Sequence, residues 1–418
     1  MSAKAIPFGL QPEDAGPPLA ILYVLSAFPV LSETFVTNEI RAMRRIGHRL
    51  VPLALTRYEG PCQPDDEPMR AEALHLADIP TLNAAAFAAL HPCGSASAIR
   101  FANRQKGIPA RSLLRAAARV AYAARQQGCS HIHAHYAHSA AAAAAATAIA
   151  AATIAGLTCS FIGHGYDIYG TPSDLALKLS AVGVAFGACN DTVADFRRWA
   201  PGVNARMVAC GIDPDRFVPL PGVPSNGRML AIGRLVEQKG YPVLFDALSR
   251  LPADRRPIVD IVGGGPLEDE LKQSVIDAGL GAHVRFLGRR PSAWIAEEGP
   301  RYQGFLAPYV ICGDNDRDTG PVAAKEALAM GLPVVASRLM GLKEIVNAAC
   351  GRHVEPGDAA GLAEAIAWLA GLNAEQRQAM GGAGRQHMIA DFTLTGQAAA
   401  ITAAIRDVQA RRTPRCAA

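Results

Sequence analysis

Residues 229–251 read MLAIGRLVEQKGYPVLFDALSRL. The run Met229–Ile232 is apolar without alternation and too short for a helix, so it reads as a strand buried on both faces. A charged loop bounded by glycines, Gly233 to Gly240, follows it. Val243, Leu244, Ala247, Leu248 and Leu251 then recur at helical spacing and mark one apolar face. Strand, loop and helix in that order form the unit of a parallel sheet, because a parallel neighbour is reached only through a crossover.

The unit repeats in both directions. Downstream, Ile258 to Val262 leads to a helix with Leu267, Leu271 and Val275, and Val284–Leu287, Phe305–Ala307 and Pro333–Ala336 supply further strands. Upstream, Ile21 to Leu25 precedes a helix with Val36, Ile40 and Met43, which Gly47 ends before the strand Leu50 to Leu55. Pro214 to Gly227 is rich in proline and glycine and reads as a linker. A chain of 418 residues can hold two domains, each with its own core. The expected fold is α/β, with two Rossmann-like doubly wound domains facing each other across a cleft. Their expected limits are 1–213 and 214–395, with a C-terminal helix, 396–418, crossing back to the first domain. Ligands of such domains bind beyond the carboxyl ends of the strands, so the informative loops are those that follow strands.

Composition narrows the class. Half of the residues are hydrophobic and 19% are charged, which excludes a disordered chain, and a net charge of +4 is too mild to argue for nucleic acid. Charge is unevenly placed, however. No Asp or Glu occurs from Ile79 to Tyr166, a stretch that carries Arg100, Arg104, Lys106, Arg111, Arg115, Arg119 and Arg125. Arg111, Arg115 and Arg119 form one helical stripe, read either as a solvated face or as a surface for anionic lipid headgroups or a pyrophosphate-linked acceptor. The nine cysteines are scattered without a CxxC pair, which points to a reducing compartment. Met1 to Ala20 lacks the apolar core of a signal peptide, and the Ala-rich run Ala140 to Leu157 reads as a tightly packed helix rather than a membrane span. The expected location is cytoplasmic, at the inner face of the plasma membrane.

Two clusters carry candidate chemistry. In Gly233-Arg234-Leu235-Val236-Glu237-Gln238-Lys239-Gly240 two cations lie in one loop that opens a helix, an arrangement suited to a diphosphate or, without further context, to a solvated surface loop. In Asp318-Thr319-Gly320-Pro321-Val322-Ala323-Ala324-Lys325-Glu326 a loop carboxylate is followed by a helix start and a second carboxylate two turns on. Glu326 there is able to accept both hydrogen bonds of a ribose diol, although two acids at this spacing mean little by themselves.

The spacing acid–x7–Glu, with Gly331-Leu332-Pro333-Val334-Val335 after it, resembles the signature of family 4 retaining glycosyltransferases, which have the GT-B fold. GRLVEQKG, VGGGPLEDEL, VRFLG and VEPGD follow that family's order, and FPVLSETFVTNEIRAMRRIGH, HIHAHYAH and FIGHGYDIY are similar to its bacterial exopolysaccharide branch, including colanic acid enzymes. The resemblance runs from about Ile21 to Val408. It implies a metal-independent hexosyltransferase that needs no cofactor beyond a nucleotide diphosphate sugar as co-substrate, and a saccharide or lipid-linked saccharide as acceptor. It also implies residue roles. Arg234 and Lys239 hold the donor diphosphate and assist its departure, and Glu326 binds the ribose. Asp318 contacts the donor sugar, with the amides of Gly320, Pro321 and Val322 beside it. The backbone from Arg285 to Leu287 cradles the base, and His164 lies at the reaction centre. Ser32, Glu33, Thr34 and His135 line the acceptor side. Asp318 departs from the Glu usual in the family, and Lys343 replaces the usual proline of the Gly341-Leu342-Lys343-Glu344 turn.

Other readings compete. Asp316-Arg317-Asp318 imitates a metal-binding DxD, and His131, His133, His135 and His138 imitate a metal site, yet no acid or cysteine is adjacent to the histidines in sequence. They are expected to serve the core and the cleft wall, without metal. Gly263-Gly264-Gly265 lacks the full dinucleotide fingerprint. A nucleotide-sugar epimerase or hydrolase of the same fold, and a non-catalytic donor-binding partner, remain as alternative functions.

Overall fold

The structure is a computed structural model, and it describes residues 16–137, 143–222 and 225–411. His138 therefore lies outside the described residues. Two compact units form: one from residues 16–210 with 394–411, the other from Gly211–Thr393.

The first unit holds a seven-stranded sheet. Its strands are β1 (Ala20–Leu25), β2 (Arg49–Ala54), β3 (Leu74–His75), β4 (His131–His135), β5 (Thr158–Gly163), β6 (Val184–Gly187) and β7 (Ala205–Met207), in the order β3-β2-β1-β4-β5-β6-β7. Every pairing is parallel. The order reverses between β1 and β4, so the loops after these two strands diverge and leave a crevice at their carboxyl ends. One core cluster joins Ile21, Tyr23 and Leu25 to Val36, Ile40 and Met43 and to Leu394, Ala398, Ile401 and Ile405 of the helix Leu394–Ala410. That helix also bonds through Thr402 to His48 at 2.8 Å and through Gln397 to Glu39 at 2.7 Å.

The second unit holds a six-stranded parallel sheet of β8 (Met229–Ile232), β9 (Val259–Val262), β10 (Val284–Gly288), β11 (Gly304–Ala307), β12 (Val334–Ser337) and β13 (Gly351–Val354). Their order is β10-β9-β8-β11-β12-β13, and it reverses between β8 and β11. The helix Tyr241–Arg250 buries Leu244, Ala247 and Leu248 in the core, the face its spacing marks. Backbone joins the two ends of this unit: Ile212 bridges Thr393, and its N–H donates to the Phe392 carbonyl at 2.8 Å.

The helix Ala144–Ala155 is buried at almost every position. Small side chains admit close neighbours, and Gly94 of the helix Pro92–Asn103 lies so near that a Cβ would stand 2.6 Å from the Thr153 carbonyl oxygen. No helix among the described residues is long and apolar enough to cross a membrane.

Candidate functional site

In the second unit the two strands that flank the reversal point supply both charged clusters. β8 ends at Ile232 and gives the loop Gly233 to Gly240, and β11 ends at Ala307 and gives the segment that runs to Pro321. Backbone conformation shapes the first loop. Gly240 has φ +66°, and a Cβ there would meet the Pro308 carbonyl oxygen at 1.8 Å, so only glycine lets the two loops touch. A Cβ on Gly265 would lie 2.5 Å from the Leu235 carbonyl oxygen, which ties the third, glycine-rich loop to the same place. Val310 N–H to the Gln238 carbonyl (3.1 Å) and Gly313 N–H to Glu237 Oε1 (3.0 Å) lock the two charged loops together.

Lys239 is 7% exposed and meets Asp318 at 2.8 Å, with its ammonium 4.0 Å from the centre of the Tyr309 ring. Burial pulls its pKa down, but the carboxylate and Tyr309 outweigh burial and raise it above the ordinary lysine range. For Asp318 burial pushes up, while Lys239, the Gly320 N–H (3.1 Å) and Lys325 together hold it below the usual carboxylate value. Arg234 is exposed. With its amide nitrogen facing Asp316 (2.7 Å) and its oxygen facing Arg234 (3.2 Å), Gln238 links that guanidinium to a second carboxylate. Asp318 thus meets a cation of the first loop directly, and Asp316 reaches one through Gln238.

Glu326 lies one turn into the helix Val322–Ala329, half-buried. Burial pushes its pKa up to about 7, against the pull of Arg216 and Lys325. One sequence expectation needs correction. Pro321 has no N–H, and the Gly320 N–H is donated to Asp318, so these two positions do not offer the anion-binding amides assigned to them. Arg285 and Leu287 lie on the edge strand β10. The Arg285 side chain is spent on a two-pronged pair with buried Asp260 at 2.6 Å, which also accepts from the Tyr302 hydroxyl at 2.8 Å.

In the first unit the loop after β5 carries His164. Its N–H and that of Gly165 donate to Asp167 Oδ1 at 2.9 and 3.0 Å, and the other oxygen of Asp167 accepts from Ala137 N–H at 2.7 Å. Lys178 holds the Ala137 and Ser173 carbonyls at 2.5 and 2.7 Å. Ser32, Glu33 and Thr34 form the turn into the helix Thr34–Arg45, and the next ring, Phe35, lies 4.5 Å from that of His164. His135, at the end of β4, bonds His164 at 3.0 Å. His135 and His164 are therefore neighbours, and Phe35, which follows Thr34 in the chain, packs against the same ring. An acid accompanies the histidines after all: Glu39, distant from β4 in sequence, lies 3.2 Å from His135 and 3.5 Å from His133. The signal was an acid beside Ile40 on an otherwise apolar helix face. Tyr309, Gln238, Arg216 and Asp167 carried no such signal.

Residues 224–387 match the family model for glycosyl transferases group 1. The amylovoran biosynthesis glycosyltransferase AmsK of Erwinia amylovora is 32% identical over 167 residues, covering 39% of this chain and 41% of that protein. A GDP-mannose-dependent alpha-(1-6)-phosphatidylinositol monomannoside mannosyltransferase of Mycobacterium tuberculosis is 28% identical over 230 residues, or 51% of this chain and 59% of that one. In each case the match spans less than two thirds of the relative. Among solved structures, a glycosyltransferase from Rickettsia africae superimposes with a TM-score of 0.68 at 17% identity, over 94% of this chain and 100% of the other. Anabaena Alr3699/HepE, solved with UDP and glucose, gives 0.67 at 17% over 93% and 100%. At such identities the likeness is one of fold, the two-domain GT-B architecture.

Proposed function

We propose, for a chain whose residues 224–387 match the family model for glycosyl transferases group 1, the transfer of a hexose from a nucleotide diphosphate sugar to a saccharide acceptor, with retained anomeric configuration and no metal. The observation that carries this reading is the pair of cations, Arg234 and Lys239, at the carboxyl end of β8, with Asp318 and Glu326 supplied across the reversal point by the segment after β11. The diphosphate takes the place of Asp318 beside Lys239, and the freed carboxylate turns to the hydroxyls of the donor sugar. Preorganised cations stabilise the charge that grows on the leaving phosphate. Glu326 accepts the ribose hydroxyls, and the backbone of Arg285 to Leu287 borders the base. His164, in the first unit, keeps the reaction-centre role that the family resemblance assigns to it. Relatives named for amylovoran synthesis and for a phosphatidylinositol-linked acceptor support exopolysaccharide or cell-surface glycan synthesis on a lipid-linked saccharide.

The test is release of nucleoside diphosphate from a panel of nucleotide sugars, with and without lipid-linked saccharides and in EDTA. Acceptor-dependent release that EDTA leaves unchanged, with a product of the donor's anomeric configuration, is the expected result. Release without acceptor would favour the hydrolase or epimerase, and no release would favour the non-catalytic partner.

A peripheral membrane position belongs to the same proposal. Leu82 (84% exposed), Leu90 (79%) and Ile99 (44%) lie on or beside two consecutive helices, Thr81–Ala89 and Pro92–Asn103, in the stretch that lacks acids. Arg100, Arg104, Lys106, Arg111 and Arg115 are exposed there, whereas Arg119 is half-buried and bonds Thr81. Exposed apolar side chains beside unpaired basic charge favour an anionic lipid surface. The protein is expected to float with vesicles containing phosphatidylglycerol, and Leu82→Glu with Leu90→Glu to reduce the floated fraction severalfold. Equal flotation with neutral vesicles would contradict the charge-based attraction.

A further inference from the structure

His133 and His135 alternate along β4, so both rings stand on the same face of the sheet. The helix Thr34–Arg45 brings Glu39 against that pair. All three side chains are buried, and Glu39 Oε1, His133 Nε2 and His135 Nε2 lie within 4.8 Å of one another. A buried acid between two imidazoles is satisfied either by their protons or by a shared cation, and the distances discriminate between the two.

Protons alone fit poorly. Hydrogen bonds to a carboxylate are ordinarily about 2.7–2.9 Å long, but Oε1 of Glu39 stands 3.2 Å from His135 Nε2 and 3.5 Å from His133 Nε2. His133 Nε2 makes no hydrogen bond, although its ring is completely buried. Tyr23, the cross-strand neighbour of His133, donates its hydroxyl to the same Oε1 at 2.9 Å. Three hydrogens would then crowd one oxygen with two lone pairs. A shared ion relieves this. Ligand atoms held at about 2.0–2.1 Å around a tetrahedral centre stand about 3.3 Å apart, and the two measured separations bracket that value. The outer atoms of the three side chains are held as well. His133 Nδ1 meets Ser160 Oγ at 2.7 Å, His135 Nδ1 meets His164 Nε2 at 3.0 Å, and Glu39 Oε2 accepts from the Gln397 amide at 2.7 Å. Metal-bound histidines and carboxylates are ordinarily fixed through their second polar atom in this manner.

We propose that Glu39, His133 and His135 bind a structural zinc ion in the core of the first unit, with water in the fourth position. Two imidazoles and one carboxylate at tetrahedral spacing suit zinc, and no cysteine belongs to the set. The ion ties the helix Thr34–Arg45 to β4 and, through Gln397, to the helix Leu394–Ala410. It braces the first unit and takes no part in the transfer proposed above, whose diphosphate site lies in the second unit. Because all three ligands are buried, the ion exchanges only when the unit opens, and EDTA present during an assay does not extract it.

The experiment is elemental analysis of the full chain, free of any histidine tag, after dialysis against EDTA; stoichiometric zinc is the expected result. Protein stripped with phenanthroline in urea and refolded without metal should melt several degrees lower than protein refolded with zinc chloride. Refolding with cobalt chloride should give the visible absorption of a tetrahedral nitrogen and oxygen site, without a sulfur-to-cobalt charge-transfer band. His133→Gln with a native circular dichroism spectrum should lose the metal. Absence of zinc from both the purified and the zinc-refolded protein would overturn the proposal. So would a sulfur-to-cobalt band, which would place the ion on cysteines, or a folded His133→Gln that keeps stoichiometric zinc. Should that variant not fold, the cobalt spectrum of the unsubstituted chain decides the ligand set. None of these results bears on the transferase reading, which nucleotide release tests separately.

Discussion

Replacing Lys239 with alanine is expected to lower transfer by about two to three orders of magnitude and to destabilise the second unit as well. The two losses have separate causes. Lys239 is buried against Asp318 and Tyr309, and the carboxylate keeps it charged despite burial. As the cation for the departing diphosphate it acts on charge that is greatest in the transition state, where a fixed donor is worth most. Without it, Asp318 stays in a largely enclosed site without its nearest counter-ion, and breaking such a pair from one side costs about 3–5 kcal/mol. Asp318 relieves part of that cost by binding a proton, which places the stability loss mainly above the ordinary carboxylate pKa. The double replacement Lys239→Ala with Asp318→Ala separates the effects, because it removes the stranded charge. Urea melts should show much of the stability recovered, while assays of nucleoside diphosphate release should show transfer still lost. A double variant that transfers at the original rate would remove Lys239 from the mechanism.

Glu326→Gln is expected to abolish measurable nucleotide binding and yet raise the melting temperature at pH 8. Burial lifts the pKa of this carboxyl to about 7, well above the ordinary glutamate range. The sign follows from linkage: a carboxyl with a raised folded pKa weakens the fold as pH climbs from the unfolded to the folded value, and the full penalty applies above it. Glutamine has nothing to ionise, so its advantage should be absent near pH 4, grow between about 4.5 and 7, and then level off. Binding runs the other way. Only the carboxylate offers a separate charged acceptor oxygen to each of two hydroxyls, so nucleotide affinity of the unsubstituted protein should increase as pH rises through about 7, and the glutamine variant should lack that rise. Thermal melts and calorimetric titrations at several pH values read both. A variant with unchanged affinity would detach Glu326 from the ribose.

The fold was legible because short buried strands and amphipathic helices leave strong periodic marks. Met229–Ile232 and the helix with Leu244 and Leu248 lie where the pattern puts them. Strand order is less local. That β1 lies beside β4, and β8 beside β11, comes from crossovers between distant segments, yet it is this reversal that gathers Arg234, Lys239 and Asp318. Single positions gave less. The two-residue strand Leu74–His75 is too short to carry any period, and the Gly320 amide was unreadable until Asp318 was seen to occupy it. Glu39 was hidden for a different reason: its partners come from a strand and a C-terminal helix far along the chain, and only the fold brings His135 and Gln397 to it.

The central claim is that the second unit binds a nucleoside diphosphate through Lys239 and Glu326. Its most direct test is a thermal-shift panel of UDP, GDP and ADP with the matching monophosphates, on the unsubstituted protein, Glu326→Gln and the Lys239→Ala, Asp318→Ala double variant. The account predicts one diphosphate that raises the melting point more than its monophosphate, a shift that each variant loses. No shift with any nucleotide, or an equal shift in the variants, would contradict it.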